Sequence, residues 1–195
     1  MVFVPDVNLV NAALAFFILH LLVYPSSNGY NSYMDRDTSA VGGIKNPKAP
    51  TRQLFVVTVI LDITAILLSL LVSTAFCACI ACYIICSRLY SYRGVRLKKF
   101  PITGYLTVII NQGCLVFFMV YLAANGNATG FPYLAMISAG FLIGGFYPIT
   151  QVYQHQQDAA DKVTTISMLL GVKGTFVFCA VMYGIAFVTL FFALG

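Results

Sequence analysis

Residues 54–90 read LFVVTVILDITAILLSLLVSTAFCACIACYIICSRLY, and this stretch decides how many times the chain crosses a membrane. A membrane helix needs about 20 apolar residues to cross about 30 Å of hydrocarbon. One continuous helix here would extend about 55 Å at a rise of ~1.5 Å per residue, which is too long for a single span. We therefore predict two helices, joined by a tight turn near Ser73-Thr74.

Four further apolar runs of suitable length are predicted to be spans, at residues 9–25, 103–123, 131–150 and 175–194, which makes six in all. Hydrophobic residues form 60% of the 195-residue chain, charged residues only 9%, and the mean hydropathy is +0.89. A soluble domain has about 25% charged residues, so lipid must solvate much of this surface. The predicted fold class is all-α, a polytopic transmembrane helix bundle.

The positive charges test the span count. With six spans, the connections 26–53, 89–102 and 151–173 lie on one side of the membrane. They hold ten of the eleven basic residues: Arg36, Lys45, Lys48, Arg52, Arg93, Arg96, Lys98, Lys99, Lys162 and Lys173. The eleventh, Arg88, lies at the rim of the connection 89–102. The opposite connections hold none, so the positive-inside rule predicts that the charged side is cytoplasmic and both termini face outward. The net charge of +5 comes without a long basic run, which argues against nucleic-acid binding.

The first of these connections carries an amide-and-acid segment, Asn28-Gly-Tyr-Asn31-Ser-Tyr-Met-Asp35-Arg-Asp37. Asn31 and Asp35 are four residues apart, and Asn28 lies one turn earlier, so on a helix the three share a face. Asp37 is followed by the Thr-Ser-Ala-Val-Gly-Gly stretch 38–43, which is suited to closing over a ligand.

A second segment of the same kind lies in the third connection, Gln154-His-Gln-Gln-Asp158-Ala-Ala-Asp161-Lys162. We expect Gln154, Asp158 and Asp161 to share a helix face. The two segments together hold four of the six acids in the protein.

Oxygen ligands from carboxylates and amides suit Mg²⁺, which typically links one or two carboxylates to substrate phosphates. Two facing clusters would hold a diphosphate through metal ions, with direct phosphate contacts from nearby basic residues. Those residues are Lys45, Lys48, Arg52, Lys162 and Lys173. The alternative is that both segments are merely solvated polar residues at the membrane surface.

Two ionisable residues fall within predicted spans, His20 and Asp62, and such groups are candidates for function. A proton relay needs a chain of them, so we interpret His20 as a core histidine, while Asp62 either binds a polar neighbour or lines a cavity. His155 reaches either the second segment's site or solvent. Cys79-x-x-Cys82 lies in an apolar run without nearby ligands, and packing is the preferred interpretation.

At these segments the chain resembles the UbiA superfamily of intramembrane prenyltransferases. The family's first motif is an Asn followed by acids at four-residue steps; here it reads Asn31-x-x-x-Asp35, and the next step falls on Ser39, so Asp35 or Asp37 must supply the missing carboxylate. The second motif has two acids four apart, and here Gln154 and Asp158 occupy those positions.

Two other runs are similar to the family, Leu89-Tyr90-Ser91-Tyr92 through Lys98 and Leu169-Leu170-Gly171. The resemblance covers nearly the whole chain and implies a nine-helix fold, of which the six spans match helices two to seven. We therefore expect residues 1–195 to form a single membrane-embedded domain that is truncated at both ends.

The resemblance implies an enzyme, a prenyltransferase that uses Mg²⁺ to transfer a polyprenyl group from a polyprenyl diphosphate to an aromatic or other electron-rich acceptor, as in quinone or lipid biosynthesis. Asp35 and Asp158 are the implied catalytic residues. The implied metal-binding residues are Asn31, Asp35, Asp37, Asp158 and Asp161. The implied substrate-binding residues are Asn28, Asn31, Lys45, Arg52, Tyr90, Ser91, Gln154 and Lys162.

The expected location is a bacterial inner membrane, with the motif segments on the cytoplasmic face. Two alternatives remain open. Ser39 and Gln154, where the family has acids, are compatible with a non-catalytic homologue that binds isoprenoids. A membrane transporter would use intramembrane charges such as Asp62, although few are present.

Overall fold

The structure is a computed structural model that describes residues 3–36, 48–125 and 130–195. Six helices in the described ranges are long and apolar enough to cross a membrane, which confirms the predicted all-α transmembrane bundle. They are α1 (Leu9–Asp35), α2 (Arg52–Ser69), α3 (Thr74–Ser91), α4 (Pro101–Asn125), α5 (Tyr133–Ala160) and α6 (Ile166–Leu194).

The turn predicted within residues 54–90 lies where the sequence placed it. The amides of Val72 and Ser73 donate to the Ser69 carbonyl and close the end of α2. The Ser73 hydroxyl then accepts from the Phe76 amide at 3.0 Å, which is a helix N-cap and starts α3. A cap residue with no apolar side chain therefore divides the long run into two spans.

Three helices extend beyond the predicted spans at the charged end of the bundle. α1 continues from residue 25 to Asp35, and α5 continues past residue 150 to Ala160 after a 3₁₀ turn at Val152–Gln154. α6 begins at Ile166 rather than 175 and is interrupted at Gly171, whose φ of 65° favours glycine. The length of an apolar run predicts only the part of a helix that lies in hydrocarbon. Backbone hydrogen bonding continues these helices into their polar segments.

The core lies among α1, α2, α3 and α4, where Ile18, Leu19, Phe76, Ile80 and Met119 are fully buried. Many other large apolar side chains are exposed on the helix surfaces, as expected for helices that face lipid.

Helices α4, α5 and α6 pack closely through small residues. The Ser138 hydroxyl on α5 donates to the Ala186 carbonyl on α6 at 2.7 Å, and a Cβ built on Gly113 of α4 would lie 2.6 Å from the Gly140 Cα of α5. Because lipid tails are as apolar as the helices, helix association in a membrane depends on close packing and hydrogen bonds of this kind.

Asp62, His20 and His155 each have defined contacts in the structure. Asp62 on α2 forms an ion pair with Arg88 in the last turn of α3, so it binds a polar neighbour. His20 is not a core histidine: its side chain is exposed, stacks on Phe16 and contacts the Phe16 carbonyl at 3.1 Å. The Nε2 of His155 contacts the Ser167 hydroxyl at 2.5 Å.

Candidate active site

A polar cavity of about 250 Å³ opens at the end of the bundle where α1 ends, α3 ends and α5 is broken. Its walls come from α1, α3, α4, α5 and two of the connections. The lining residues are Ser27, Asn28, Asn31, Asp35, Ser87, Tyr90, Ser91, Lys98, Thr107, Val108, Asn111, Gln112, Tyr147, Thr150, Gln151, Gln154, Gln157, Asp158, Val163 and Thr165.

The last turns of α1 supply the first group of oxygen atoms. Asn28, Asn31 and Asp35 lie on one face of the helix and all line the cavity, as their spacing predicts. The Ser91 hydroxyl donates to the Asn31 Oδ1 at 2.7 Å and joins α3 to this face. Arg36 ends α1 in a left-handed conformation with φ 55°, so the Asp35 carboxylate stands at the helix terminus.

The broken end of α5 supplies the second group. Tyr147, Gln151, Gln154 and Asp158 follow one another at spacings of four, three and four residues, and all line the cavity. The 3₁₀ turn at Val152–Gln154 separates the membrane part of α5 from its last six residues, His155–Ala160. Asp158 comes from the short helical segment after this turn and lines the same cavity as Tyr147 and Gln151.

A cationic segment between α3 and α4 joins the two groups of acids. The Arg96 Nη2 lies 3.3 Å from the Asp35 Oδ1 and donates to the Asp161 Oδ2 at 2.5 Å. Lys98, in the 3₁₀ turn Leu97–Lys99, donates from its Nζ to the Asp35 Oδ2. Asp35 is only 8% exposed, and a buried carboxylate requires such partners.

Arg96 is held in its charged form. Burial alone would lower the pKa of its guanidinium, but the hydrogen bond and charge of Asp161 and the charge of Asp35 raise that pKa above its usual value. Arg93 adds a contact from its Nε to the Met34 carbonyl at 2.6 Å, which ties the same segment to the end of α1.

Hydroxyl groups connect the helices behind the acids. The phenol of Tyr90 on α3 hydrogen bonds to the phenol of Tyr147 on α5, and the hydroxyls of Ser27 and Ser87 are 2.6 Å apart. These contacts fix the relative positions of α1, α3 and α5 around the cavity.

The structure brings together seven of the sequence-predicted site residues. They are Asn28, Asn31, Asp35, Tyr90, Ser91, Gln154 and Asp158. Two of the other five predicted residues, Asp37 and Lys45, lie outside the described part of the chain, as does Ser39.

Three predicted residues lie away from the cavity wall. Arg52 is exposed at the start of α2 beside Gln53 and Val56, and Lys162 is exposed after α5. Asp161 is the C-cap residue that follows the last residue of α5, Ala160, and it does not line the cavity as Asp158 does. Its carboxylate binds Arg96 instead.

Sequence reasoning did not select several residues that line the cavity. The sequence marks Lys98 only as a charge that sets topology, because its partner Asp35 lies 63 residues away along the chain. Tyr147 and Gln151 could have been found, because they continue the helical spacing of Gln154 and Asp158 backwards. Asn111 and Gln112 are a polar pair within an otherwise apolar span, which is a second usable signal.

The donor set of the cavity consists of carboxylate, amide and hydroxyl oxygens. Within residues 3–36, 48–125 and 130–195, no three His, Cys, Asp or Glu side chains are placed so that together they could hold a metal ion. A zinc-type cage is therefore not formed by these residues, whereas Mg²⁺ takes one or two carboxylates and completes its coordination with water and phosphate. The oxygens of Asp35, Asp158 and Asn31 fit that requirement.

Fold and cavity together define an integral membrane protein with a polar, oxygen-rich site at the end of a helix bundle. The model of the UbiA prenyltransferase family matches residues 3–195, and the chain belongs to that family. No curated protein matches the chain.

Two solved structures share the fold. One is a UbiA homolog from Archaeoglobus fulgidus bound to DMAPP and Mg²⁺, with a TM-score of 0.73 and 16% identity over 98% of this chain and 68% of that chain. The other is a UbiA homolog from the same organism bound to GPP and Mg²⁺, with a TM-score of 0.70 and 14% identity over the same shares. At these identities the likeness establishes the fold.

Proposed function

We propose that the polar cavity binds a prenyl diphosphate together with Mg²⁺, and that the protein transfers the prenyl group to an electron-rich acceptor. The observation that carries this proposal is the convergence of Asp35 and Asp158, from two distant segments, on one cavity that also contains Lys98. Membership of the UbiA prenyltransferase family supports it, as do the two related structures, which are bound to DMAPP or GPP together with Mg²⁺.

Asp35 and Asp158 would hold Mg²⁺, with amide oxygens from Asn31 and Gln154 beside them. When bound, the metal neutralises the negative charge of the diphosphate and makes it a better leaving group. Oxygen donors on two helix ends place this charge at the membrane surface, where an anionic headgroup can be hydrated.

The chain's own cations add to this electrostatic stabilisation. Lys98 lines the cavity and carries a compact positive charge with three donors, which suits contact with phosphate oxygens. Arg96 is fixed between Asp35 and Asp161 and keeps the acids of the two segments together. Preorganised charges of this kind are usually the largest contribution to such a reaction.

In the reaction, the bond between the allylic carbon and the diphosphate oxygen breaks, and its electron pair leaves with the diphosphate. An electron pair of the acceptor forms the new bond to that carbon, and the acceptor then loses a proton to water. The rings of Tyr90 and Tyr147 lie in the same cavity and would stabilise positive charge on the prenyl fragment.

The acceptor class we propose is an aromatic or lipid molecule that reaches the cavity from the bilayer, as in quinone or lipid biosynthesis. The location we propose is a bacterial inner membrane with the charged end of the bundle in the cytoplasm. The orientation rests on the distribution of lysine and arginine, and the bacterial inner membrane and the acceptor class rest on the resemblance to the family.

A non-catalytic isoprenoid-binding role is the second candidate, because Gln154 lines the cavity where the family motif has an acid. An amide contributes an oxygen ligand but no charge, so it weakens the electrostatic hold on Mg²⁺. Release of diphosphate distinguishes the two roles, since binding alone releases none.

The test uses the purified protein in detergent or liposomes with labelled geranyl diphosphate, Mg²⁺ and a panel of aromatic acceptors. We expect diphosphate release and a labelled product, both lost on chelation of Mg²⁺ and in Asp35→Ala and Asp158→Ala. Asp6→Asn is the matched control, because Asp6 is an exposed acid before α1 at the opposite end of the bundle. Full activity in both alanine variants, or binding without any release of diphosphate by the wild type, would refute the proposal.

A further inference from the structure

The carboxylate of Asp35 is held by two cations, one on each oxygen. The Lys98 Nζ donates to its Oδ2, and the Arg96 Nη2 lies 3.3 Å from its Oδ1. All three side chains are largely buried. We call Arg96 and Lys98, in contact with Asp35, the cationic clasp.

The backbone between α3 and α4 places both cations of the clasp. Arg96 has a left-handed conformation, with φ 49° and ψ 62°, and it precedes the 3₁₀ turn Leu97–Lys99 that carries Lys98. Residues other than glycine rarely adopt this conformation, and such strain is typical of functional sites. The Arg96 amide donates to the Tyr92 carbonyl at 2.6 Å, and the Lys99 amide to the Arg96 carbonyl at 2.9 Å. These bonds fix the turn, so the clasp is built into the fold.

The two cations are held unequally. Arg96 also donates to the Asp161 Oδ2 at 2.5 Å and contacts the Asp161 carbonyl at 3.4 Å. Lys98 is held by its contact with Asp35 within the described part of the chain. Since a lysine ammonium sits on a flexible four-carbon stem, Lys98 is the member of the clasp that can move to another anion.

The closed clasp leaves one polar group unsatisfied. Among the described residues, the Arg96 Nε is a buried donor without a hydrogen-bond partner. A buried unsatisfied donor costs free energy, so the closed arrangement is not the best that the Arg96 guanidinium can make.

The charges around the clasp are balanced. Within the described ranges, three acids and three cations lie together at this end of the bundle: Asp35, Asp158, Asp161, Arg93, Arg96 and Lys98. The six have no net charge when all are ionised, so they offer little Coulomb attraction to a free divalent cation. Mg²⁺ binds carboxylate oxygens at about 2.0–2.1 Å, and on Asp35 it must replace the Lys98 ammonium.

We propose that the clasp prevents free Mg²⁺ from binding Asp35, and that a diphosphate opens it by taking over the Lys98 ammonium. The cavity then binds metal and diphosphate together and not the metal first. This inference rests on the proposed function of the polar cavity. In the open arrangement Lys98 moves from the Asp35 Oδ2 to a phosphate oxygen, while Arg96 keeps Asp35 and Asp161 together.

The experiment measures metal binding to the purified protein in detergent, with and without inorganic diphosphate. Mn²⁺ replaces Mg²⁺, because it takes the same oxygen ligands and its free concentration is read by electron paramagnetic resonance. After correction for metal–diphosphate complexes in solution, diphosphate should tighten Mn²⁺ binding to the wild type by about tenfold or more. Mn²⁺ should tighten diphosphate binding by the same factor, because coupling between two binding sites is reciprocal.

Substitutions of Lys98 give the decisive result, because the clasp predicts opposite effects on the two measurements. Lys98→Met removes the competing cation, so affinity for Mn²⁺ alone should rise about tenfold, the scale of a charged hydrogen bond, while the coupling to diphosphate falls about tenfold. Lys98→Arg keeps the charge and should bind Mn²⁺ alone as weakly as the wild type. Lys99→Met removes the same charge at an exposed neighbouring position and should change either value by less than about twofold.

Arg96→Gly tests the other half of the clasp. Glycine adopts the left-handed conformation freely, so this variant keeps the turn and removes the guanidinium. Affinity for Mn²⁺ alone should rise, and the unfolding temperature should fall because Asp161 loses its partner. Lys162→Gly is the matched control, since Lys162 is also left-handed, with φ 56°, and is exposed. It should leave Mn²⁺ binding unchanged.

Three results would overturn the clasp. One is a wild type that binds Mn²⁺ equally well with and without diphosphate, which needs no variant. The others are a Lys98→Met variant whose affinity for Mn²⁺ alone is unchanged or lower, and an equal gain in Lys99→Met.

The two proposals fail separately. Tighter Mn²⁺ binding in Lys98→Met, in a protein that transfers no prenyl group, would refute the proposed enzyme and leave the clasp in place. Prenyl transfer by a wild type that binds the metal equally well without diphosphate would refute the clasp alone.

Discussion

Arg88 on α3 forms an ion pair with Asp62 on α2, with the guanidinium Nε donating to the Asp62 Oδ2 at 2.9 Å. The Ser26 hydroxyl on α1 contacts the other carboxylate oxygen at 2.5 Å, and the Arg88 guanidinium lies 4.0 Å from the ring centre of Tyr30. Both charged side chains are no more than a fifth exposed. One ion pair thus joins three helices beside the polar cavity.

The pair should behave as a structural unit. Since removal of one partner leaves a buried charge unpaired, Asp62→Ala should cost about 3–5 kcal/mol of stability, whereas replacing both partners by apolar residues costs much less. Thermal unfolding in detergent measures this with Asp62→Ala, Arg88→Met and the double variant. Ile63→Ala, at an exposed position next along α2, is the control. Additive losses in the double variant would contradict the pairing.

Lys98 and Lys99 offer a matched comparison of adjacent lysines. Lys98 lines the cavity and contacts Asp35, whereas Lys99 is exposed. Because a charged hydrogen bond contributes about 1.5–3 kcal/mol, Lys98→Met should weaken binding of inorganic diphosphate in the presence of Mg²⁺ by about tenfold or more. Lys99→Met should change it by less than about twofold, the scale of an exposed charge. Isothermal titration calorimetry gives both values, and equal effects would argue against a phosphate contact from Lys98.

Substitutions of Asp158 and Asp161 should distinguish a metal-binding carboxylate from an ion-pairing one. Asp158 lines the cavity, while Asp161 binds Arg96 outside its wall. Asp158→Asn removes a charge beside the proposed metal, so the Mg²⁺ concentration for half-maximal diphosphate binding should rise about tenfold, a loss of about 1.4 kcal/mol. Asp161→Asn should shift it less and mainly lower the unfolding temperature. The reverse order would restore Asp161 as the metal ligand that its sequence position predicts.

Alanine substitutions of Gly113 and Gly184 test the close contact between α4 and α5. A Cβ on Gly113 would meet the backbone of Gly140, whereas nothing lies within 4 Å of a Cβ on Gly184. Gly113→Ala should destabilise the protein by about 1–3 kcal/mol because backbone atoms must move apart. Gly184→Ala should be neutral or stabilise α6 by up to about 1 kcal/mol, since alanine is the better helix former. Thermal unfolding of the two variants decides, and similar melting temperatures would contradict the close approach.

Orientation in the membrane is testable with thiol labelling. The positive-inside rule predicts that Lys99 faces the cytoplasm and Asp6 the outside. An impermeant maleimide should label Asp6→Cys in intact cells and Lys99→Cys only after permeabilisation. The native cysteines lie within the membrane-spanning helices α3, α4 and α6. Labelling of Lys99→Cys in intact cells would invert the topology.

The number and type of helices could be predicted from the sequence because lipid imposes one strong rule. A span must be about 20 apolar residues long and must satisfy its own backbone hydrogen bonds, so residues 54–90 had to divide. The helix ends were predicted less well. α1 and α5 continue ten residues beyond their apolar parts, and helical hydrogen bonding has no need of apolar side chains there.

Part of the candidate site also followed from the sequence. Helical spacing places Asn28, Asn31 and Asp35 on one face, and the structure keeps them there. Spacing also grouped Asp161 with Asp158, but α5 ends at Ala160 and Asp161 does not line the cavity. Periodicity describes neighbours on one helix and says nothing about where that helix stops.

Residue patterns alone predict a six-helix membrane bundle with its basic residues and two acidic segments at one end. Three features appear only in the folded protein: Lys98 contacts Asp35, Arg88 is the partner of Asp62, and Asp35 and Asp158 line one polar cavity. The physical reason is that hydrophobicity and helical periodicity act along the chain, over one span or a few turns. Contacts between helices depend on which faces pack together, and small residues such as Gly113 and Gly140 make that choice at distances the local sequence does not encode.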